Sequence, residues 1–318
     1  MAFLDIIIPE YNCKEEYIKR LLNSIHNPKL IDLSEIRILI INDGSEYKLD
    51  NNIFNKYFRL DIKYIIKDKN EGQGLARQYG LDLSDAEYVT FIDQDDLIFS
   101  PENLSRVINI LKKNRMDMLF TDYVRWDIKN DIKELVTYET LACLHGVFYK
   151  REALVNGGFR FNPRIWMYED TYFVRITHKL LKPKYFKIPT YIWVNNEDSQ
   201  TNIGNIGTQM IQKRFNEFMI ANIDSAKFIK SHGSMDNESY VNILYDLFII
   251  VESDLFTDST IYESDIYDYY LYIKDEYNSI NNDRRKELYS ESLMRNKNSY
   301  GIKEVKLDFK TFIKRMEK

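Results

Sequence analysis

The sequence predicts an α/β fold on a parallel sheet, and three observations carry that prediction. Short apolar runs rich in Ile recur early, at residues 4–8, 36–41, 62–66 and 88–92. Helix-like segments at 15–25 and 72–83 fall between them. Polar clusters sit at the ends of three runs: Pro9-Glu10-Tyr11-Asn12, Asn42-Asp43-Gly44-Ser45 and Asp93-Gln94-Asp95-Asp96. Continuous apolar strands suit a sheet covered on both faces, and strands alternating with helices connect in parallel. In such a sheet the ligand crevice lies beyond the carboxyl ends of the strands, where the polar clusters are.

Each element follows from local signals. The segment 72–83 places Leu75, Tyr79 and Leu83 along one helical face. Ser100-Pro101-Glu102 reads as a capped helix start leading to about residue 114, and 116–124 reads as a further strand. Residues 141–201 mix aromatic and polar positions irregularly, which predicts loops and short elements around a site. From about residue 209 the pattern turns helical and rich in Tyr and Asp. The expected organisation is therefore an α/β domain over 1–205 and a helical region over 206–318, with no Gly/Ser-rich linker and no internal repeat.

Composition narrows the class. With 44% hydrophobic and 29% charged positions the chain can bury a full core, which excludes a disordered chain. It holds only 11 Gly and 6 Pro, against roughly 38 together from average usage, which excludes collagen-like and Pro/Gly-rich architectures. A net charge of -5 counts against a nucleic-acid partner. Cys13 and Cys143 show no ligand spacing, so a reducing compartment without disulfides is expected. The opening MAFLDIIIPEYN lacks the flanks of a secretory signal, and the longest apolar stretch, 244–256, is broken by Asp246, Glu252 and Asp254. The expected location is the cytoplasm, free or peripheral at the inner membrane surface.

The string Asp93-Gln94-Asp95 ends a strand, so two carboxylates project into the crevice. Hard oxygens paired this way suit Mn²⁺ or Mg²⁺ bridging a diphosphate. The plain alternative is an acidic turn capping the next helix. Context favours the metal: IIIPEYN at 6–12, INDGS at 41–45, NEGQGLARQYG at 70–80 and FIDQDD at 91–96 occur in order. Gly157-Gly158-Phe159-Arg160-Phe161, Tyr168-Glu169-Asp170 and Tyr191-Ile192-Trp193 with Ser199-Gln200-Thr201 follow. Together they resemble the nucleotide-sugar-binding domain of family 2 glycosyltransferases, which have the GT-A fold, over about residues 3–201.

The resemblance implies an inverting, metal-dependent transfer of one sugar from a nucleotide-diphosphate sugar, UDP-linked for preference, to an acceptor hydroxyl such as that of a glycan precursor. Pro9, Tyr11 and Asn12 would line the base pocket, with Asp43 accepting from the uracil N–H. Gly72 and Gln94 belong to the same donor-binding set. Arg77 would approach the diphosphate or hold the acidic loop by an ion pair. Asp93 would sit on the ribose or metal side, and Asp95 would be the principal metal ligand. Asp170 is the expected general base, with its neighbour Glu169 as the alternative, and both also suit a helix start. His145 and Trp166 are candidate acceptor contacts.

Three positions depart from the family pattern. Asn42 replaces the first Asp of DDGS, Glu10 adds a carboxylate near the nucleotide, and Asn196 stands where many members have a histidine. The synthase string QxxRW is absent. A scaffold that keeps the fold without turnover, and an enzyme acting on a protein or modified nucleic-acid base, are the rival readings. The tyrosines between 258 and 289 suit packing first and a sugar surface or homo-oligomer interface second. The stretch 303–318 alternates Val305, Leu307, Phe309, Phe312 and Ile313 with five cations, which suits an anionic membrane or a docked terminal helix.

Overall fold

In the computed structural model, which describes residues 2–27, 29–137, 143–195, 206–233, 235–256 and 258–318, the chain divides into two units, Met1–Asn202 and Ile203–Lys318. The first is built on β1 (Leu4–Glu10), α1 (Glu15–Ile25), β2 (Ile36–Asn42), β3 (Asp61–Ile66), α2 (Gln73–Leu83) and β4 (Tyr88–Phe91). These four strands pair in parallel in the order β3-β2-β1-β4. Every residue of β1 is buried, because helices cover both faces. On one face Leu4, Ile6 and Ile8 join Ile18, Leu21, Leu22 and Ile25 of α1 in the core.

On the other face lies α2, and here the expected apolar stripe is corrected. Tyr79 and Leu83 are 41% and 46% exposed, while Gly74, Arg77, Gln78 and Leu81 are buried. The helix approaches the sheet through its small residues: a Cβ on Gly80 would come within 2.5 Å of Ile7 Cγ2. Close approach by glycine carries no hydrophobic signal, so periodicity pointed to the wrong side.

Beyond β4 the chain adds β5 (Leu97–Ile98), α3 (Pro101–Asn114), β6 (Met118–Asp127), β7 (Ile132–Val136), β8 (Val147–Lys150), α4 (Arg151–Asn156), α5 (Glu169–Leu181) and β9 (Lys184–Asn195). Helix α3 starts as expected, with the Ser100 hydroxyl accepting from Asn103 N. In this half the sheet becomes mixed: β8 runs antiparallel to β4 and β6, β7 to β6 and β5 to β9, whereas β6 and β9 are parallel. The 12-residue β9 replaces the loops and short elements expected there. Its Lys residues, Pro189 and a register shift against β6 near Asp122 break the period-2 pattern that reveals a strand.

The second unit contains α6 (Ile206–His232), α7 (Asn237–Val251), α8 (Thr260–Tyr272), α9 (Lys274–Ser279), α10 (Asn282–Tyr300) and α11 (Phe309–Met316). Helix α7 is apolar nearly all round and forms its core. Phe309 and Phe312 of α11 pack against Tyr245 and Phe248 of α7. These two rings are docked on the unit's own core, one of the two arrangements that the stretch 303–318 suits. Of the tyrosines between 258 and 289, Tyr269 and Tyr270 are buried, Tyr262, Tyr277 and Tyr289 make ring contacts while half-buried, and Tyr272 is exposed. Among the described residues no helix is long and apolar enough to cross a membrane.

Candidate active site

The carboxyl ends of β1, β2 and β4 bring the polar clusters together, as the parallel topology requires. The β1 and β4 ends are tied by Tyr11 N donating to Gln94 Oε1 at 2.9 Å. The β1 and β2 ends are tied by Asn12, whose N donates to Ser45 Oγ at 2.8 Å and whose Oδ1 accepts from Glu46 N. Asn12 holds a φ of +46°, a left-handed conformation that Asn tolerates better than most residues. The Tyr11 ring is 43% exposed beside this junction. Pro9 lies buried in β1, opposite Ile41 of β2.

Beneath the junction is a buried polar network. Glu10 Oε1 accepts from Cys13 N and the Ser45 hydroxyl, and Oε2 accepts from Tyr64 and Asn42. Burial pushes the Glu10 carboxyl above its usual range despite these donors. The two departures from the family pattern are therefore partners. Glu10 lies within the protein and faces Asn42, so its carboxylate is not an added charge in the crevice.

Asp43 is buried too, and its carboxylate organises the next loop. It pairs with Lys67 at 2.5 Å and accepts from Glu71 N and from Gly72 N at 2.7 Å. Gly72 has a φ of +92°, strained for any side chain, and a Cβ there would meet the Trp166 ring at 3.2 Å. Trp166, 48% exposed, thus covers the turn that starts α2.

Arg77 joins two parts of the site. Its guanidinium, 3% exposed, donates to Asp93 Oδ1 at 2.6 Å and to Glu169 Oε1 at 2.7 Å. Burial opposes the charge on Arg77, yet the two carboxylates outweigh it and raise its pKa. Burial likewise pushes Asp93 up, and Arg77 outweighs it, so Asp93 stays below the usual carboxylate range. Glu169 is 1% exposed and sits under Gly74, where a Cβ would come within 2.8 Å of its Cγ. Its Oε2 has no hydrogen-bond partner among the described residues, and burial leaves its pKa raised.

Asp170 follows at the first turn of α5, only partly covered, with Oδ1 accepting from Thr171 N at 2.6 Å. Burial, then the neighbouring Glu169 charge, pushes its carboxyl up to about 7. The α5 mount is fixed by Phe173, whose ring stacks on Phe161 with centroids 4.1 Å apart. The sequence singled out Phe161 only as part of its glycine-rich segment.

Two groups gain a role that sequence reasoning missed. Asp96 accepts from the Tyr191 hydroxyl at 2.5 Å and from Val194 N at 2.7 Å, anchoring β9 to the acidic loop. Burial, with Asp93 and Asp95 nearby, pushes Asp96 well above the carboxylate range. Its place as the third acid of FIDQDD was its only signal. Arg20 donates to Asp95 O at 2.8 Å and steadies the same loop from α1. His145 stacks on Tyr191 with centroids 4.6 Å apart, and burial lowers its pKa to about 4, so it is neutral at pH 7. Asn196, Ser199, Gln200 and Thr201 lie outside the described residues.

One ligand atom each from Asp93, Asp96 and His145 lies within 4.8 Å of the others. Asp96 is a poor donor in this set, because both its oxygens already accept hydrogen bonds and it favours the protonated form. Asp93 keeps Oδ2 without a hydrogen bond among the described residues and His145 is deprotonated, whereas Asp95, the expected principal ligand, is not part of this group. A small hard dication fits these donors.

A family model described as glycosyl transferase family 2 matches residues 5–197. An uncharacterized glycosyltransferase of Haemophilus influenzae is 31% identical over 140 residues, covering 43% of this chain and 53% of that protein. The chain thus matches about half the length of that relative. Among solved structures, S. aureus TarS in complex with UDP-GlcNAc has a TM-score of 0.58 at 16% identity, covering 94% of this chain and 93% of that one. The mannosyltransferase PcManGT of Pyrobaculum calidifontis, in complex with GDP-Man and Mn²⁺, has a TM-score of 0.52 at 13% identity, covering 93% and 86%. These likenesses establish the fold.

Proposed function

The chain belongs to glycosyl transferase family 2, and from that premise we propose that it transfers one sugar from a nucleotide-diphosphate sugar to an acceptor hydroxyl with inversion at the anomeric carbon. The observation that carries this reading is Asp170. It stands at the start of α5 with its carboxyl pushed up to about 7, beside the Glu169–Arg77–Asp93 bridge to the acidic loop. A base whose pKa lies near the operating pH combines the ionised form with useful basicity.

Asp170 takes the proton of the acceptor hydroxyl as that oxygen attacks the anomeric carbon, and the nucleotide diphosphate departs from the opposite face. Glu169 is a positioning residue, since it is buried against Arg77 and holds the base helix to the acidic loop. Tyr11 offers its exposed ring to the base of the nucleotide. Trp166, over the Gly72 turn, closes the donor side and meets the acceptor. His145 is enclosed by Tyr123, Tyr191 and Trp193, so its place is behind the acidic loop rather than against the acceptor. Asp95 and Asp93 would hold Mn²⁺ or Mg²⁺, which when bound neutralises charge developing on the leaving diphosphate.

A UDP-sugar is the preferred donor because TarS, with the same fold, binds UDP-GlcNAc. The test is calorimetric titration of UDP, GDP, CDP and their common sugars into wild type and Asp95→Ala, with Mn²⁺ and with chelator. The reading expects one nucleotide to bind with metal and to lose most of its affinity in the variant. Absence of binding by every nucleotide would overturn it.

A further inference from the structure

The lysines near the chain's end line a cavity within the second unit. It has a volume of about 650 Å³, within the range of small-ligand sites. Its aromatic wall comes from Tyr245 of α7, Tyr270 of α8, Tyr277 of α9 and Tyr289 of α10, with Phe309 of α11. Its cations are Arg285 and Lys286 of α10 and Lys310 and Lys314 of α11. Among the described residues the one acid on the wall is Asp308, whose oxygens accept from Thr311 N and from the Thr311 hydroxyl as the cap of α11.

Charge at this wall opposes that of the whole chain, which is -5. Among the described residues neither Lys310 nor Lys314 forms an ion pair, and the pair of Lys286 with Asp283 is exposed on both sides. Arg285 is held in place: its guanidinium carbon lies 4.5 Å from the Tyr277 ring centroid, and a terminal nitrogen donates to Asn282 Oδ1 at 2.6 Å. Its Nε is buried and has no hydrogen-bond partner. Among the described residues Arg285 forms no ion pair, so the terminal nitrogens of its guanidinium can take an anion.

Ring geometry selects among anions. Tyr245 meets Tyr277, Tyr289 and Phe309 at 80°, 87° and 87°, and Tyr270 meets Tyr277 at 83°. In these edge-to-face contacts the rings engage one another. They present edges and phenol groups, which suit a ligand rich in hydroxyls.

We propose that this cavity binds a phosphorylated saccharide, its phosphate on Arg285, Lys310 and Lys314 and its hydroxyls on the tyrosines. The site lies within the second unit and does not rest on the transfer reading. Calorimetry on the full chain at low salt, with glucose 6-phosphate, methyl glucoside and inorganic phosphate as probes, tests it. Glucose 6-phosphate is expected to bind at least about tenfold more tightly than either other probe, and Arg285→Gln or the pair Lys310→Gln and Lys314→Gln to lose about tenfold, one charge-assisted hydrogen bond's worth. UDP affinity stays unchanged in these variants. Equal affinity for inorganic phosphate, or glucose 6-phosphate binding insensitive to both variants, overturns the proposal. Lysine-dependent sedimentation with phosphatidylglycerol vesicles in the absence of sugar-phosphate binding overturns it in favour of a membrane surface.

Discussion

The two units differ in what ties their elements around the site and around the cavity. In the first, charge crosses the interior: Arg77 of α2 joins Asp93 of the β4 loop to Glu169 of α5, and Glu10 of β1 meets Asn42 of β2. In the second, rings cross it, with Phe309 touching Tyr245, Phe248, Tyr270 and Tyr277. Buried charges fix elements at chosen distances but penalise every unpaired atom, whereas rings fill volume and tolerate small shifts. The first arrangement suits reacting groups that must be held in register, and the second suits a supporting core.

The largest test of that contrast is Asp170→Asn. If the first unit positions a base, kcat falls by about 10²–10⁴-fold while thermal stability and nucleotide affinity hold. In wild type kcat/KM should drop about tenfold per pH unit below about 7, because the basic form requires loss of the raised Asp170 proton, and level off above it. That acid limb disappears from the residual rate of the variant. A pH profile identical in both proteins assigns the base elsewhere.

Next come two deletions of equal size. Arg77→Met leaves Glu169 buried without its cation and should cost about 3–5 kcal/mol. Phe312→Ala empties the α11 contact with α7 and should also cost about 3–5 kcal/mol. Only the first should lower kcat at temperatures well below its own Tm, since only Arg77 aligns the base helix with the acidic loop. Equal loss of kcat in both, read by turnover beside differential scanning calorimetry, erases the distinction between the units.

Legibility in the sequence divides along the same line. The strands of the parallel half, α1, α3 and the loop positions of the acidic cluster were readable, because apolar runs, caps and turn residues act locally. Asp170 and Arg77 were readable as a motif, but the bridge between Arg77 and Glu169 was not, since it joins positions 92 residues apart. Asp96 was hidden for the same reason, its partners being Tyr191 and Val194 of a strand with no clear alternation. In the second unit composition announced tyrosines and lysines, but not that α9, α10 and α11 would arrange them around one cavity.

The smallest test concerns the pair that departs from the family pattern. Asn42 Nδ2 lies within hydrogen-bond reach of Glu10 Oε2, Ser45 Oγ and the Tyr64 hydroxyl, so the one carboxyl of the cluster is that of residue 10. Asn42→Asp sets a second carboxylate against Glu10 in a buried place where none of the hydrogen-bond partners is a cation, and should cost about 1–3 kcal/mol. A second change, Glu10→Gln, returns one charge and one amide to the same two positions with their roles exchanged. The amide oxygen at position 10 still accepts from Cys13 N, and its nitrogen donates to the carboxylate now at position 42. The Ser45 and Tyr64 hydroxyls turn to donate to that carboxylate as well. The double variant should therefore recover to within about 0.5 kcal/mol of wild type, an interaction of opposite sign to the single loss. Chemical denaturation of the four proteins measures it. Additive losses instead mean that the charge must sit on residue 10, where β1 turns into the Tyr11 loop, and that Glu10 sets the position of that ring.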